Sequence, residues 1–572
     1  MSDHATVPAV SDGRRPFASI AHPQLPVAAV TALVGFLVLT PLGYLLWRTF
    51  FEDGGVSLRF VREAYAVDGL GGMAGTSLLF AAGATALAML IGVPLAWLIV
   101  RTDLPLRRTV LAVALLPLVV PGVLYTIAWI FLASPNAGLI NSVAGAGTVD
   151  VFGLRGMIVV EAFHAVPLVL LLTAAALRSL DTSLEESALT AGASLPTVVR
   201  RITLPLLRPA LLAAALVSMI SALESFDVPA LLGIPGDTWV FTARIFQALQ
   251  RFPDGIALAG AYALPLLALT CAGAVLLASL TRRRRSYETV TGRGARGHPL
   301  PLGRSRWPVF AAVSLYVAIA IVLPMLALGW ISTQPYLAVP SGDSLGRASL
   351  DGYRDVFDSS VTLRAFRNSL LLATAAATTT VAIGAVVAWF SVRSGVRGRR
   401  LADATAFLPL ALPGLVLGAA LLAFWLRAPW TIYGTLWLLL VAYVTRFLPY
   451  GLRTASAAMS QLGQDLEDAA HMSGASWWQT FRRVVLPLAG PGLLAGWIMV
   501  VVFAMRELSA SIVLYAPGQE VLAVAIWNEF QNGSFRAVGA LGVVVSVVSL
   551  VLVLAATLLF QRFGRQVSRA RG

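Results

Sequence analysis

Residues 257–280 read ALAGAYALPLLALTCAGAVLLASL, and a cluster of four arginines, Arg282 to Arg285, follows after Thr281. The stretch contains no charged residue, and a helix of this length, rising about 1.5 Å per residue, crosses the roughly 30 Å hydrocarbon core of a bilayer. Arginines collect at the cytoplasmic ends of such helices. The segment therefore predicts a transmembrane helix that ends at the cytoplasmic surface.

Comparable apolar runs recur along the whole chain. Hydrophobic residues make up 58% of the 572 and charged residues 12%, which leaves too few polar side chains to cover a soluble core of this size. The predicted fold class is therefore an all-α polytopic membrane protein with about twelve transmembrane helices. The predicted spans are 27–49, 76–100, 109–132, 156–178, 207–229, 257–280, 308–330, 368–392, 402–426, 434–456, 489–513 and 537–560.

The formal net charge of +14 comes entirely from arginine, since the chain contains no lysine. These arginines cluster in short loops and tails beside the spans, as in membrane proteins, so we expect a lipid bilayer and no nucleic acid as the partner. A phosphate-binding loop for ATP needs a lysine. We therefore expect no ATP site, and the HExxH motif of zinc-dependent hydrolases is also absent from the sequence.

The two halves of the chain are repeats of each other. Trp97 and Pro121 have counterparts 292 residues later, Trp389 and Pro413, whereas Gly192 and later landmarks recur after 282 residues. The difference places a ten-residue deletion in a loop between the third and fourth spans of the second half, where repeats tolerate length changes. With six spans each, the halves run in the same direction as parallel repeats. The predicted organisation is a cytoplasmic tail 1–25, a first repeat 26–280, a basic cytoplasmic linker 281–307, a second repeat 308–561 and a cytoplasmic tail 562–572.

One cytoplasmic loop is duplicated, at 180–205 and 462–487. Each copy is predicted to form a short helix, a left-handed glycine turn and a second helix, with a leucine at Leu184 or Leu466 on an apolar stripe and Ser194 or Ser476 as the second helix cap. The acidic pairs are placed on the polar side. The matched residues are Glu185, Glu186, Ala188, Gly192, Leu204 and Pro205 in the first copy, and Glu467, Asp468, Ala469, Ala470, Gly474, Leu486 and Pro487 in the second.

This duplicated pattern, Glu-Ala-Ala, three residues, Gly, and then Ile-x-Leu-Pro, resembles the signature of the inner-membrane permeases of ABC importers. Ser187 and Asp468 are mild departures from it. The resemblance implies a type I ABC importer permease, fused into one chain and located in the bacterial inner membrane. It further implies that these loops dock two copies of a cytoplasmic ATPase subunit, which holds ATP and Mg²⁺, and that an extracytoplasmic binding protein delivers the substrate. The chain itself is expected to bind no cofactor and to catalyse no reaction.

Charged residues inside the predicted spans are costly and mark candidate path residues. They are Glu224, Asp227, His164, Arg446, Arg506 and Glu507, with 224 and 506, and 164 and 446, at repeat-related positions. Glu224 and Asp227 are expected on one helix face near the outer surface, opposite Arg506 and Glu507, with His164 and Arg446 nearer mid-membrane. These groups either line or gate a path, face the docked binding protein, or form a pair, Glu224 with Arg506 or with Glu507, that holds the halves together. A metal cluster is the less favoured interpretation, because histidines and carboxylates are sparse.

The substrate is the least defined feature. The segment from Phe226 to Gly233 and the fused layout resemble ferric-iron uptake permeases, while thiamine, aminoethylphosphonate and polyamine permeases have overlapping patterns. Carboxylates suit Fe³⁺ as a hard cation, and they suit polyamines as well. The competing class is a secondary transporter with two six-helix halves, which has no ATPase to receive the duplicated loop.

Overall fold

A computed structural model describes residues 24–52, 54–66, 69–251, 254–284, 299–393, 408–429 and 432–569. Most of the predicted N-terminal tail, the centre of the basic linker at 285–298, the loop 394–407 and the last three residues lie outside this part of the chain. The described chain is almost entirely helical, and its one small sheet pairs Phe51–Glu52 with Gly55–Val56 in antiparallel register.

The described part of the first half contains twelve α-helices. They are α1 Gln24–Phe50, α2 Arg59–Ala64, α3 Leu70–Arg101, α4 Arg107–Ala114, α5 Gly122–Ala133, α6 Leu139–Ala144, α7 Gly153–Ser179, α8 Ser183–Thr190, α9 Leu195–Val198, α10 Leu204–Glu224, α11 Phe241–Leu249 and α12 Gly255–Arg284. Short π-helical segments, Val199–Thr203 and Pro229–Gly233, flank α10.

The second half continues the same arrangement. Its helices are α13 Arg306–Val317, α14 Leu323–Thr333, α15 Gly342–Gly346, α16 Asp351–Asp358, α17 Ser360–Arg393, α18 Gly414–Trp425, α19 Leu436–Ser460, α20 Asp465–Met472, α21 Trp477–Thr480, α22 Leu486–Met505, α23 Ser511–Leu514, α24 Leu522–Gln531 and α25 Phe535–Arg569. Two more π-helical segments, Ala318–Val322 and Phe481–Val485, join α13 to α14 and α21 to α22.

Within the described residues, nine helical segments are long and apolar enough to cross a membrane. They are Thr31–Phe50, Leu70–Arg101, Gly153–Ser179, Leu195–Glu224, Gly255–Leu280, Gly303–Thr333, Ser360–Phe390, Trp477–Met505 and Phe535–Leu552. At the predicted span 434–456, α19 is long enough but less apolar, because Arg446 and Arg453 lie inside it. The all-α polytopic fold class is thus confirmed.

The third span of each half differs from the straight helix predicted. At 109–132 the chain forms two helical arms bent by 99°, with the break between Leu118 and Gly122. Pro117 and Pro121 cause the break, because a proline has no N–H to donate in a helix and its ring clashes with the carbonyl of the preceding turn. In the second half only a short 3₁₀ turn, Leu408–Ala411, and α18 are described, and α18 likewise starts directly after a proline, Pro413.

The fifth and eleventh spans also end earlier than predicted. Helix α10 stops at Glu224 instead of continuing to 229, and α22 stops at Met505 instead of 513. Glu224 and Asp227 therefore do not share one helix face, which corrects the sequence prediction. Non-helical backbone at membrane depth is tolerated where it lines a polar cavity, and these breaks meet that condition because both open into the cavity described below.

Both duplicated loops lie on the same side of the molecule. Loop 180–205 contacts Arg101 at the end of α3, and Arg101 pairs with Leu300 just before the seventh span. From there the chain crosses outward through Gly303–Thr333 and returns through α17, whose Trp389 hydrogen-bonds to Glu467 in the second loop. Two crossings bring the chain back to the starting face, in agreement with parallel repeats.

Close helix packing depends on small residues. In the α17–α19 pair the backbones at Gly384 and Gly451 approach so closely that a Cβ on either glycine would meet the other helix at 2.7 Å. The repeat-equivalent α3–α7 pair is tight at Gly92, where a Cβ would meet Val169 at 2.9 Å. Without a hydrophobic driving force between helices in lipid, such close contact is what holds a bundle together.

Candidate functional site

The two duplicated loops form the same helix–turn–helix in both repeats. Two residues after the end of α8 at Thr190 lies Gly192, with φ +86°, and two residues after the end of α20 at Met472 lies Gly474, with φ +80°. In each loop the glycine N–H and the next N–H donate to carbonyls of the last helical turn at 2.9–3.0 Å, which is a Schellman motif. The predicted left-handed glycine turns are therefore confirmed in geometry.

The exposed and buried sides of these short helices are reversed relative to the prediction. Leu184 and Leu466 are 55% and 46% exposed, whereas the first acid of each pair, Glu185 or Glu467, is buried. The reason is a set of polar partners beneath the helix, which the apolar spacing cannot reveal. Glu185 accepts a hydrogen bond from Thr203 at 2.6 Å and forms an ion pair with Arg101 at 3.3 Å.

The second loop rests on aromatic side chains instead. Trp389 donates its indole N–H to Glu467 at 3.3 Å and stacks on Trp477 with ring centroids 4.1 Å apart. Ser476 forms the predicted capping box with Gln479, while Ser194, in the first loop, makes no bond to the backbone of α9 and contacts Thr197 instead. The capping prediction is thus confirmed for one loop and wrong for the other.

The remaining loop residues divide between solvent and helix start. Glu186, Asp468 and Ala469 are exposed, and Ala188 and Ala470 are half-buried. Asp181 lies at the start of the first loop, and its pKa is lowered because its carboxylate accepts the N–H of Ser183. A π-helical segment precedes the Leu-Pro pair in each repeat, and sequence reasoning did not foresee it. Pro205 and Pro487 lack an N–H, so a wider turn ahead of the proline relieves the clash and the lost hydrogen bond. Leu204 and Leu486 begin α10 and α22 there.

A cavity of about 350 Å³ lies between the repeats. It is bordered by the ends of α10 and α22 and by the middle of α7 and α19. All six path residues predicted from the sequence line it, together with a seventh charged residue, Glu161. These are Glu161, His164, Glu224, Asp227, Arg446, Arg506 and Glu507.

The pairing inside the cavity differs from the prediction. Arg446 forms an ion pair with Glu507 at 3.2 Å, and Arg506 donates to His164 at 3.0 Å and to the Leu118 carbonyl. Among the described residues no ion pair joins Glu224 to Arg506. His164 lies at the same depth as Arg506, not nearer mid-membrane, because α10 and α22 break where α7 and α19 pass them.

The bond from Arg506 fixes the state of the His164 ring. A guanidinium group can only donate, so His164 must accept at Nε2 and is neutral in this arrangement. On the first repeat, Ser225 donates to Glu161 at 2.7 Å. Sequence reasoning noted Glu161 one helical turn from His164 among the intramembrane charges, but it gave Ser225 no role, although Ser225 directly follows Glu224.

Two groups of opposite charge beside the cavity each have a buried atom that makes no hydrogen bond in the described part of the chain. Glu224 Oε1 and Arg446 Nη1 are buried and make no hydrogen bond within the described residues. With four carboxylates against two guanidinium groups and a neutral His164, the cavity has a formal charge of −2 when all acids are ionised. Such a field favours a cation, although no group of three or more His, Cys, Asp or Glu side chains in the described chain is placed to hold a metal ion.

Two glycines allow the charged side chains into this space. A Cβ at Gly122 would overlap the Asp227 carboxylate, and a Cβ at Gly414 would overlap the Arg446 guanidinium group. The two glycines are repeat counterparts and each opens its helix, α5 or α18, directly after a proline. The positive end of the α5 dipole therefore faces Asp227. Their spacing of 292 residues was visible in the sequence, but the contact was not.

The architecture and the cavity define a multi-pass membrane protein in which two parallel repeats enclose a charged path. The sequence profile of the family described as "binding-protein-dependent transport system inner membrane component" matches the chain twice, at residues 84–286 and 380–569. These two matches cover more than half of the chain and fall one in each half. The chain belongs to this family and is a multi-pass protein of the inner membrane.

Several characterised relatives share part of this sequence. The ferric transport system permease protein FbpB of Actinobacillus pleuropneumoniae is 27% identical over 408 residues, which is 70% of this chain and 58% of the relative. A putative ferric transport system permease of Haemophilus influenzae is 28% identical over 378 residues, with 65% and 58% covered. The chain thus spans about 58% of the length of these relatives.

Shorter relatives match one half of the chain. A putative 2-aminoethylphosphonate transport system permease protein, PhnV, of Salmonella paratyphi A is 26% identical over 266 residues, which is 46% of this chain and 98% of the relative. Among solved structures, a bacterial ABC transporter involved in alginate import aligns with 18% identity and a TM-score of 0.38, covering 45% of this chain and 96% of that chain.

Proposed function

We propose that this chain is the permease of an ATP-driven ABC importer that carries ferric iron, delivered by an extracytoplasmic binding protein, across the inner membrane. One observation carries the proposal: two loops of equal geometry lie on one face, and the helices that follow them, α10 and α22, both end at the charged cavity. A pair of rigid helices therefore connects a cytoplasmic docking surface to the path.

The proposed coupling follows from this arrangement. The exposed Glu186, Asp468 and Ala469 face a cytoplasmic partner, while the buried Glu185 and Glu467 tie each docking helix to the membrane-spanning helices. Movement of a docked ATPase subunit then moves α8 or α20, and with it the cavity end of α10 or α22. The chain contains no lysine for a phosphate loop, so hydrolysis of ATP is assigned to two copies of a separate subunit.

Ferric iron is supported by the carboxylates and by the relatives. Oxygen donors suit hard cations, and Glu161, Glu224, Asp227 and Glu507 surround the cavity. The iron would pass through this field without a dedicated protein site, because no set of three ligands converges within the described residues. The two long relatives described as ferric transport permeases support the same substrate.

Uptake by the reconstituted transporter tests the proposal. Vesicles that contain the chain, its cognate ATPase and its binding protein are loaded with ATP and supplied with radioactive ferric iron. We expect iron uptake that requires both ATP and the binding protein. Uptake driven by an ion gradient without ATP would instead identify a secondary transporter.

A second candidate substrate is 2-aminoethylphosphonate. Arg446 and Arg506 line the cavity, and guanidinium groups bind phosphonate-type oxygens well. The PhnV relatives support this alternative. Radioactive 2-aminoethylphosphonate, thiamine or a polyamine, supplied to the same vesicles in place of iron, separates these substrates, because only the true substrate is delivered by the cognate binding protein and taken up.

A further inference from the structure

Residues 299–306, at the end of the linker between the repeats, form a short strap. The strap lies against the loop that follows α3. Leu300 donates its N–H to the Arg101 carbonyl at 2.8 Å and accepts from the Asp103 N–H at 3.2 Å, which forms a parallel bridge opposite Thr102. The Asp103 carboxylate accepts the N–H of Leu302 at 2.9 Å and lies 3.9 Å from Arg306. The strap is thus bound mainly through its backbone.

Arg101, whose carbonyl accepts the N–H of Leu300 in the strap, also contacts the first docking loop, which is the duplicated loop 180–205. Arg101 forms its ion pair with Glu185 at 3.3 Å, and its guanidinium group donates to the Leu180 carbonyl at 3.4 Å. Arg101 and Glu185 are both buried. Because Leu180 lies three residues before the start of the loop helix α8, a single side chain contacts both the approach to this helix and its buried acid.

Apolar packing strengthens the same connection. Leu104 is 3% exposed and belongs to a cluster that also contains Leu180 and Leu302. Polar and apolar contacts therefore run without a gap from the strap, through the loop after α3, to the docking helix. A contiguous chain of packed and hydrogen-bonded groups is the physical means by which a change at one place shifts another.

The second repeat has different residues at the corresponding place. In the repeat register, the counterpart of Asp103 is Gly395, which has no carboxylate to hold a strap. The second loop rests on the stack of Trp389 and Trp477 instead. The two loops therefore share an outer geometry, while the carboxylate of Asp103 has no counterpart in the sequence of the second repeat.

We infer that Asp103 and the strap 299–306 are positioning residues for the first docking loop, acting through Arg101 and Glu185. They tie the orientation of α8 to the linker that joins the repeats, and the second loop is independent of them. This inference rests on the proposed function, since the position of a docking helix affects transport only when an ATPase binds there.

Spin-label mobility tests the positioning without any ATPase. The exposed, repeat-related positions Ser187→Cys and Ala469→Cys carry a nitroxide in a Cys271→Ser background, with the full chain in lipid nanodiscs. In the Asp103→Ala variant we expect the label at 187 to become more mobile and the label at 469 to stay unchanged. As the matched control, Asp150→Ala removes a carboxylate that accepts one local N–H, from Phe152 at 2.9 Å, at the opposite end of α7, and neither label should respond.

A second variant guards against loss of folding. Leu300→Pro removes the N–H that donates to the Arg101 carbonyl and keeps the carbonyl that accepts from Asp103, and it should shift the label at 187 in the same direction. Unchanged mobility at 187 in either folded variant overturns the inference. Equal loosening at 187 and 469 also overturns it, because that result indicates general destabilisation.

Coupled activity provides the functional readout. In the assembled transporter, Asp103→Ala should lower ATP hydrolysis stimulated by the loaded binding protein by roughly twofold to thirtyfold, while the thermal midpoint stays at that of the Asp150→Ala control. Unchanged stimulation in a variant whose label at 187 has loosened would overturn the positioning role. If the wild-type chain stimulates no ATPase although the labels respond as expected, the proposed function fails and the structural link between strap and loop stands.

Discussion

Gly192 and Gly474 occupy backbone conformations that side chains with a Cβ rarely adopt. A valine there costs at least about 1–2 kcal/mol, because its branched Cβ clashes with the following carbonyl. We expect Gly192→Val and Gly474→Val to reduce substrate-stimulated ATPase activity while the chain remains inserted in the membrane. Gly463→Val is the matched control, since Gly463 lies in the second loop with open space around it and an ordinary φ. Full coupling in both test variants would contradict a role for these turns.

The buried ion pair between Arg446 and Glu507 makes a second prediction. Glu507→Gln leaves the Arg446 guanidinium without its partner, so we expect a loss of about 3–5 kcal/mol in stability. Adding Arg446→Gln removes the stranded charge and should recover most of that loss. Thermal unfolding of the two single variants and the double variant measures the coupling. Additive losses would show that the pair does not stabilise the contact.

Glu224 makes the opposite prediction, because its Oε1 atom makes no hydrogen bond within the described residues. Glu224→Gln and Asp227→Asn together should leave the thermal midpoint near that of the wild type and abolish most uptake. Uptake into reconstituted vesicles and thermal unfolding are measured on the same preparation. Wild-type uptake by the double variant would remove both carboxylates from the path, and iron would then rest on sequence similarity alone.

At the scale of the elements, the two loops offer a direct comparison of helix capping. Ser476 accepts the Gln479 N–H, whereas Ser194 makes no such bond. Ser476→Ala should therefore lower the local stability of the second loop by about 1 kcal/mol, and Ser194→Ala should have a smaller effect. Amide hydrogen exchange of the two loops measures both. Equal effects would show that the capping box contributes little.

Helix positions and loop turns were predictable from sequence because they follow local rules. Apolar length located the spans, and glycine spacing located both left-handed turns. The early end of α10 at Glu224 was not predictable, since hydropathy continues through Phe226 and Val228. The ion pairs were also missed: equal depth suggested Glu224 opposite Arg506, but Glu507 pairs with Arg446 through a contact between α19 and the end of α22. A local sequence pattern does not report which side chains from distant parts of the chain form a pair.

At the scale of the whole molecule, two loops on one face predict two docking sites on one chain. Native mass spectrometry of the purified transporter should show two ATPase subunits for each copy of this chain. Truncating one loop helix, by deleting residues 465–472, should leave one bound subunit, and deleting both loop helices should leave none. Deletion of the exposed segment 342–346, α15, is the control and should not change the count. A single bound subunit in the wild type would contradict the proposal.

The repeat-related positions in the cavity hold different residues. Glu224 of the first repeat corresponds to Arg506 of the second, and His164 corresponds to Arg446. A permease assembled from two identical chains must place the same side chain at both positions, so every charge on its central axis is met by a like charge. Joining the repeats in one gene removes that restriction. Each wall of the path can then vary separately, and acid on one side can be balanced by base on the other. Covalent linkage thus gives this transporter a polarity across its path that a symmetric homodimer cannot possess.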